Sequence, residues 1–522
     1  MNEIFKPTRR DFLRLTTLAG TGLVLGVRLA RPGAAFAETA SKVLSPSAFL
    51  SIDTSGQITV WVARTELGQG VRTSLPMLVA EELEADWNLI RVVQADADPT
   101  KYGPMTTGGS RSIRVSYLPL RQAGAAAREM LLDAAAKTWQ VDRTSCRADN
   151  GTILHVPTGR RLKYGELVET AATLPVPANP PLKDPKDFRF IGKGRPRLDI
   201  PEKVDGSARF GIDLRVTGQR FAAIARSPVI GGTLKSVDDA AAKAVKGVRQ
   251  VVTVPAGVAV VADSTWAAFQ GRDALKVTWD EGANATLDSA GIRRMFEEKA
   301  KGEAVPGRAD GDVDTALAGA AKRIEAVYEL PFQAHVPMEP PNCIAHAQAD
   351  RCEIWAPVQS PQWLQTEAAR LLSLKPEQVV VHVTLAGGGF GRRLLFDYAL
   401  EAVEVSRAAG GPVQVVWSRE DDVRHSNYRP ASYHRLVAGL DGEGRLVAFR
   451  HRMVGPSISG QLFGAPVQPG KFDAMEGAAD FAYQLPNFRF EFVLANTPVP
   501  VTWWRSVYNS QNPFVQESFL DE

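Results

Sequence analysis

Three short segments of this chain carry the residue types that hold a large polar ligand through backbone groups and neutral side chains. They are Glu66-Leu67-Gly68-Gln69-Gly70 with Thr73, Thr106-Thr107-Gly108-Gly109-Ser110-Arg111-Ser112, and Gly387-Gly388-Gly389-Phe390-Gly391-Arg392-Arg393. Glycine admits a ligand or a second backbone where a Cβ would block it, and a glycine-rich turn ahead of a helix aims N–H groups at an anion. The third segment lies between a strand-like run, residues 379–386, and a helical run, residues 394–409. It matches neither G-x-x-x-x-G-K-[ST] nor the dinucleotide fingerprint with its acidic partner, so nucleotide hydrolysis and a plain Rossmann site fit poorly. Any one such loop would serve equally as a structural turn. Three in one chain imply a phosphate-bearing cofactor gripped from several segments.

Together with Ala334-His335-Val336-Pro337-Met338-Glu339-Pro340 and Trp503-Trp504-Arg505-Ser506, these segments resemble the large subunit of the isoquinoline 1-oxidoreductase type, in the xanthine oxidase and aldehyde oxidase family. The likeness runs over essentially the whole chain. It implies an α+β, multidomain molybdenum-cofactor-binding fold with an inserted α/β hammerhead domain. The implied cofactor is molybdopterin cytosine dinucleotide, its molybdenum held by the pterin dithiolene and by no protein ligand. The implied activity is oxidation of an N-heterocycle or aldehyde with water-derived oxygen, with electrons passing to a small partner subunit carrying two 2Fe-2S clusters.

Carried over position by position, the resemblance makes Gln359 the glutamine beside the metal's apical oxygen and Arg505 an arginine that faces substrate. Gly68, Gln69 and Gly70, then Gly109, Ser110 and Ser112, and Gly388, Gly389, Phe390, Gly391 and Arg392 become cofactor contacts. A branched side chain at Gly391 is expected to expel the cofactor from a largely folded protein. Where purine-oxidising relatives place a glutamate after the glycine loop, this chain has Leu394, which disfavours purine. The family's catalytic glutamate, in a late Gly-Val-Gly-Glu type segment, has no counterpart here. The 522-residue chain is therefore expected to be inactive alone and truncated at its C-terminus. Its last residues open like a helix with Asn512 as cap, and Phe514, Phe519 and Leu520 are expected to need a surface from outside the chain. A reading from another class, a non-catalytic cofactor-binding or assembly protein, stays open; a flavin or nicotinamide dehydrogenase is more distant.

The elements that must position these residues follow from periodicity. Strand-like runs at 57–63 and 90–95 alternate with helical runs at 74–85 and 118–139, within a first cofactor-binding part over 45–170. Seven prolines between Leu174 and Glu202 mark a linker, 171–202, read as a boundary and not as core. Residues 203–285 read as a small self-contained unit, the hammerhead. A polar stretch, 281–314, leads into the second cofactor-binding part, 315–522, which opens with a strand at 323–330.

His335, Glu339, Cys343, His346 and Cys352 invite a metal reading, but Pro337, Pro340 and Pro341 forbid the helix that would put His335 and Glu339 on one face. The run Arg419-Glu420-Asp421-Asp422 reads as a solvated or hydrogen-bonded turn. No Gly-x-Ser-x-Gly elbow supports serine hydrolysis. With three cysteines in all, and none closely spaced, the chain cannot ligate an iron–sulfur cluster alone.

The net charge is +3, yet residues 1–37 carry Lys6, Arg9, Arg10, Arg14, Arg28 and Arg31 against Glu3 and Asp11, leaving the body near −1. A near-neutral body offers no footprint for nucleic acid. Arg9-Arg10, an apolar run over 15–27 and Ala35-Phe36-Ala37 form a twin-arginine signal peptide over 1–37. The apolar run is shorter than the roughly 20 residues of a membrane span. The twin-arginine translocase is thus an expected partner, and the expected location is the periplasm, soluble or peripheral to the membrane.

Overall fold

The computed structural model describes residues 43–464 and 473–522, so the signal peptide expected over residues 1–37 lies outside the described residues. Within them the chain divides into two compact units, one of residues 43–215 and 349–388, the other of residues 216–348, 389–464 and 473–522. Both mix helices and sheets, as the α+β reading expects. No helix among the described residues is long and apolar enough to cross a membrane.

In the first unit, Val43–Ser47, Leu50–Asp53, Ile58–Val62 and Ile90–Gln94 form a four-stranded sheet in that order. The last two pair in parallel, so a crossover must join them, and the helix Val71–Leu83 supplies it. Ile58 and Val60 alternate with half-buried neighbours and enter a core with Leu50, Ile52, Val79, Leu83 and Leu131. A second helix, Ser112–Trp139, packs on the first at Gly124, where a Cβ would lie 2.5 Å from the Val79 carbonyl oxygen. This helix begins six residues before the expected start at 118 and continues through Pro119. Its first turns leave Ile113, Val115 and Leu118 exposed, so they lack the one-sided apolar pattern that marks a helix in sequence. The strands Cys352–Ala356 and Val379–Val383 pair in parallel around the helix Pro361–Leu372.

The proline-rich linker is more than a boundary. Phe190 is buried in the first unit's core. The buried Glu81 carboxylate accepts the N–H groups of Arg189, Phe190 and Ile191 at 2.6–3.0 Å and pairs with Lys183. These bonds hold the Glu81 carboxyl below its usual range despite its burial. Hydrogen bonds to a charged acceptor contribute about 1.5–3 kcal/mol each, enough to fix a segment that has no regular structure.

In the second unit, Val248–Val254, Gly257–Ala262, Arg220–Ala225, Val413–Val416 and Asn342–Ala347 lie side by side in that order. Residues 203–285 are therefore not self-contained: Arg220–Ala225 pairs in parallel with Val413–Val416, nearly two hundred residues away. A parallel partner needs a long connection and leaves no turn signal to read. A five-stranded sheet runs Val305–Asp310, Phe488–Leu494, Leu446–Gly455, Ser432–Leu440 and Lys322–Leu330. Its first strand and the helix Ser289–Lys299 fall in the stretch read only as polar, where Pro306 and Gly307 hide the strand pattern.

The last helix, Asn512–Asp521, closes this unit's core. Phe519 is buried and meets Phe449 edge-on at 5.5 Å, and Leu520 packs beside it, so both find partners inside the chain. Phe514 stays 55% exposed against Tyr328. Asn512 is not the cap: its amide donates to the carbonyl oxygens of Ala474 and Glu476 at 2.9 and 3.0 Å. Of the two readings of the acidic run at 419–422, solvated or hydrogen-bonded, the hydrogen-bonded one holds for both aspartates, while Glu420 is exposed. The run starts the helix Arg419–Arg424, with Asp421 bonded to Arg272 and Asp422 to Arg419, both aspartates buried.

Candidate functional site

In the first unit, four segments meet at the ends of the parallel strands. Residue 64 follows Ile58–Val62, and Arg64 donates to the Thr106 carbonyl at 2.6 Å, while the Thr65 N–H bonds the Thr107 hydroxyl at 2.9 Å. The Thr107 N–H donates to the Gln359 carbonyl at 2.7 Å, and Gln359 Nε2 returns a bond to the Thr107 carbonyl at 2.8 Å. Gln362 Nε2 reaches Thr106 Oγ1 at 2.7 Å, and the Ala386 N–H reaches the Glu66 carbonyl at 3.2 Å just before Gly387 and Gly388. The structure thus gathers Gln359 with the first and second glycine segments and with the strand end just before Gly388.

The two segments work differently. In the first, Glu66 Oε1 accepts the N–H groups of Gly68 and Gly70 at 2.8 and 2.9 Å, and Oε2 accepts that of Arg72 at 3.1 Å. Gln69 folds back, taking the Leu67 N–H at 2.6 Å and donating to the Thr65 carbonyl at 2.9 Å. The anion position ahead of the helix Val71–Leu83 is therefore filled by the chain's own buried carboxylate, which corrects the reading of this turn as an open anion cradle. Positive φ at Gly68 and Gly70, 106° and 85°, lets the turn wrap around that carboxylate. Arg197, from the linker, locks it by donating to the Gly68 carbonyl at 2.8 Å and pairing with Glu66 at 3.3 Å. Asp199 grips the same guanidinium at 2.7 Å, and Arg197 with Lys203 holds the Asp199 carboxyl far below its usual range. What remains open to a ligand is the Gly68-Gln69 surface.

The second segment is open. Gly109 and Ser110 take left-handed φ of 58° and 52°, and among the described residues the N–H groups of Gly108, Gly109 and Ser110 have no acceptor. They precede a 28-residue helix whose first turn, starting at Ser112, contains no acidic residue. Gln359 Oε1 and Gln362 Oε1 are buried without partners, and each amide keeps a second N–H. Donors and acceptors left unpaired together complement a ligand edge that presents both, as a pterin with its phosphate does. The residues present fit the implied cofactor.

In the second unit, Gly389 begins the other half of the third segment. Gly391, at φ 104°, lies so near the Trp503-Trp504 backbone that a Cβ would stand 1.8 Å from the Trp503 carbonyl oxygen. The glycine is demanded by the neighbouring chain, and Gly391→Val would disturb the fold itself, contrary to the expectation of a folded, cofactor-free variant. The same carbonyl accepts from His335 Nε2 at 3.0 Å. Burial lowers the His335 pKa to about 4, so the ring is neutral and carries its proton on Nε2 toward that oxygen. Arg505, two residues on, is exposed, and Phe390 is 38% exposed.

Arg392 is committed elsewhere. Fully buried, it makes a bidentate pair with Asp397 at 2.7 and 2.8 Å and lies over the Tyr398 and Trp417 rings, so its charge is not available to a cofactor. Glu339 pairs with Arg393 at 3.1 Å and accepts from Asn342 at 2.9 Å, which ties up both of its oxygens. Positive φ at Val336 (46°), Phe390 (54°), Ser506 (73°) and Val507 (52°) concentrates backbone strain in the three segments that meet here. For β-branched Val336 and Val507 this conformation is rare, and such strain gathers at ligand sites. Sequence reasoning missed Arg64 and Arg197, and gave no role to Glu66 or to the threonine pair at 106–107 within the segments it quoted. Glu66 stood inside a quoted motif, but nothing local showed which N–H groups its carboxylate takes.

Two domain models described as molybdopterin cofactor-binding match this chain, one over residues 5–204 and one over 296–522. The chain is 32% identical to the beta subunit of isoquinoline 1-oxidoreductase from Brevundimonas diminuta, covering 100% of itself and 73% of that protein. It is 31% identical to a membrane-bound aldehyde dehydrogenase, named with pyrroloquinoline quinone, of Gluconacetobacter polyoxogenes, covering 99% and 70%. It is 28% identical to a nicotinate dehydrogenase chain of Pseudomonas putida, covering 100% of itself and 45% of that longer protein. Among solved structures, aldehyde oxidoreductase from Desulfovibrio gigas superposes with a TM-score of 0.50 at 19% identity, over 69% of this chain and 44% of that one, which is a likeness of fold. The class is that of molybdopterin-binding oxidoreductase subunits. Within it, this chain belongs to the xanthine oxidase family, alongside the isoquinoline 1-oxidoreductase large chain.

Proposed function

We propose that this chain is the cofactor-binding subunit of a molybdenum hydroxylase that oxidises an N-heterocycle or aldehyde with water-derived oxygen. The observation that carries this is the convergence of Gln359, the Thr106-Thr107 pair and the unpaired Gly108–Ser110 N–H groups at one place in the first unit. Gly68, Gln69, Gly70, Gly109, Ser110, Ser112 and Gly388 would hold the pterin there, and Gly389, Phe390 and Gly391 are proposed as further contacts to the same cofactor. When bound, the molybdenum cofactor supplies a Lewis acid that activates water and an acceptor for two electrons.

The chain's own residues orient and shield. Gln359 spends one N–H on Thr107 and keeps the other, which would serve as a donor to the reacting oxygen once the cofactor is bound. Arg505, exposed and outside any described ion pair, is suited to bind a polar substituent of the substrate, while Phe390 and Leu394 present apolar surface to a ring. Glu339 is held by Arg393 and Asn342 and is not the proton acceptor.

Electrons would leave through a second protein, because Cys146, Cys343 and Cys352 are too few to ligate an iron–sulfur cluster, and two of them are buried. A small subunit with two 2Fe-2S clusters is the partner this reading requires, and the cytosine dinucleotide is the cofactor form it favours. Export by the twin-arginine translocase, already folded around the cofactor, would place the complex in the periplasm, so replacing Arg9 and Arg10 by lysine should strand the precursor in the cytoplasm. Metal and nucleotide analysis of the purified protein, followed by a screen of N-heterocycles and aldehydes with an artificial electron acceptor, tests the whole reading. Bound cofactor without turnover on any substrate, partner subunit present, would favour a non-catalytic carrier.

A further inference from the structure

Three short segments of the second unit run side by side just ahead of Arg505. Gln333 and Arg429 form an antiparallel bridge, and Tyr428 and Val501 a parallel one. The Arg429 N–H donates to the Gln333 carbonyl and the Tyr428 N–H to the Pro500 carbonyl, both at 2.9 Å, and the Thr502 N–H donates to the Tyr428 carbonyl at 2.8 Å. Side chains alternate across such a ribbon and bridged residues share a face. Gln333, Arg429 and Thr502 therefore point one way, and Tyr428 and Val501 the other.

The first of these faces holds donors that the fold leaves unsatisfied. Arg429 Nε, Thr502 Oγ1 and, two residues on, Trp504 Nε1 are all buried without a hydrogen-bond partner. Arg429 is 6% exposed, donates from Nη2 to the Pro331 carbonyl at 3.0 Å and lies 5.9 Å from the centre of the Trp504 ring. Two other buried arginines of this unit, Arg392 and Arg393, face Asp397 and Glu339, whereas no ion pair among the described residues includes Arg429. Burial lowers its pKa and no neighbouring anion raises it again. His335 Nδ1 also lacks a partner, but it is an acceptor, and His335 serves to hold the Trp503 carbonyl.

A neutral carbonyl and a ring face stabilise a guanidinium, yet neither cancels the cost of burying its charge, and an anion does. One cation calls for a monoanion. A carboxylate meets that condition and has lone pairs for the guanidinium N–H, the indole N–H and the hydroxyl at once.

We propose that Arg429, Thr502 and Trp504 form a carboxylate seat, and that the carboxylate belongs to the substrate. The assignment to substrate rests on the function proposed above, which it narrows to N-heterocycles and aldehydes that carry an acid group. The seat itself rests on the unpaired donors and the unbalanced charge. Its atoms are covered in the structure, so entry requires the segment carrying Trp504 to move. That segment continues into Ser506 and Val507 at φ 73° and 52°, strained conformations that a movement can relieve.

The test titrates the full chain calorimetrically with benzoate and with benzamide, which has the same shape without the charge. Benzoate is expected to bind about tenfold or more tightly than benzamide. Arg429→Gln and Trp504→Phe should each weaken benzoate by about tenfold or more and leave benzamide unchanged. Trp504→Phe keeps an aromatic ring and deletes the donor, so the test stands even if the Arg429 variant folds poorly. Equal binding of the two ligands, or parental benzoate affinity in both variants, overturns the proposal. The complete enzyme, with cofactor and electron-accepting subunit, then separates seat from substrate: it should oxidise an acid-bearing heterocycle or aldehyde at lower KM than the matching carboxamide, with Trp504→Phe raising KM for the acid alone. Arginine-dependent benzoate binding in an enzyme with the same KM for acid and amide would keep the seat and overturn its assignment to substrate. The same binding with no oxidation of any N-heterocycle or aldehyde would overturn the hydroxylase function, and the assignment with it.

Discussion

Replacing Glu66 by glutamine asks whether the Gly68–Gly70 turn is built around an internal anion. The carboxylate, 1% exposed, accepts three backbone N–H groups and faces Arg197. A glutamine keeps the shape and one acceptor oxygen, so Gly68 and Gly70 can still be served, but more weakly. Its NH2 group would then oppose either the Arg72 N–H or the Arg197 guanidinium, donor against donor. Losing the charge assistance in these bonds, and leaving Arg197 with Asp199 alone, should cost about 3 kcal/mol. For a unit of this size about 2–4 °C of melting temperature goes with each kcal/mol, so cofactor-free Glu66→Gln should melt on the order of 10 °C lower. Scanning calorimetry of the parent and variant measures this, and pyrophosphate titration of the variant should show no new site. If the turn were instead an open cradle, neutralising Glu66 would leave the melting temperature within about 1 °C and strengthen anion binding; that pair of results would refute the reasoning.

Gly391→Ala should already destabilise the protein, since its Cβ would overlap the Trp503 carbonyl, and a soluble variant melting like the parent would show that the backbones part easily. Gln359→Ala should lower turnover more than molybdenum content, measured side by side in the complete enzyme. Arg505→Ala, at an exposed position, should change substrate preference or turnover with no loss of stability; parental kinetics for both variants would remove these residues from the site. The His335 ring is neutral in the fold with its pKa lowered from 6.5 to about 4, so the unfolded chain binds the extra proton first. The contribution is fully present above about pH 6.5, is lost as pH falls toward 4 and is flat below that. Denaturant titrations across this range should show the slope, and His335→Gln should reduce it.

The sequence by itself determined which residues could grip a cofactor and which class of cofactor that is. Glycine, hydroxyl and amide groups clustered at strand-to-helix turns are a local signal, legible because backbone access depends on residue type at the turn itself. Period-two and helical patterns likewise placed Ile58–Val62, Val379–Val383 and the helix Val71–Leu83 close to where they lie. Only the tertiary structure decided which of those turns is open. Whether an N–H points to a ligand or to the chain depends on carboxylates and guanidiniums brought from far along the chain: Arg197 reaches Glu66 across 131 residues. The close approach of Trp503 to Gly391 and the parallel pairing of Arg220–Ala225 with Val413–Val416 are of the same kind. Pairings at such separation leave no periodic trace, because the energy that selects them comes from burying both partners together and not from the preference of either segment alone.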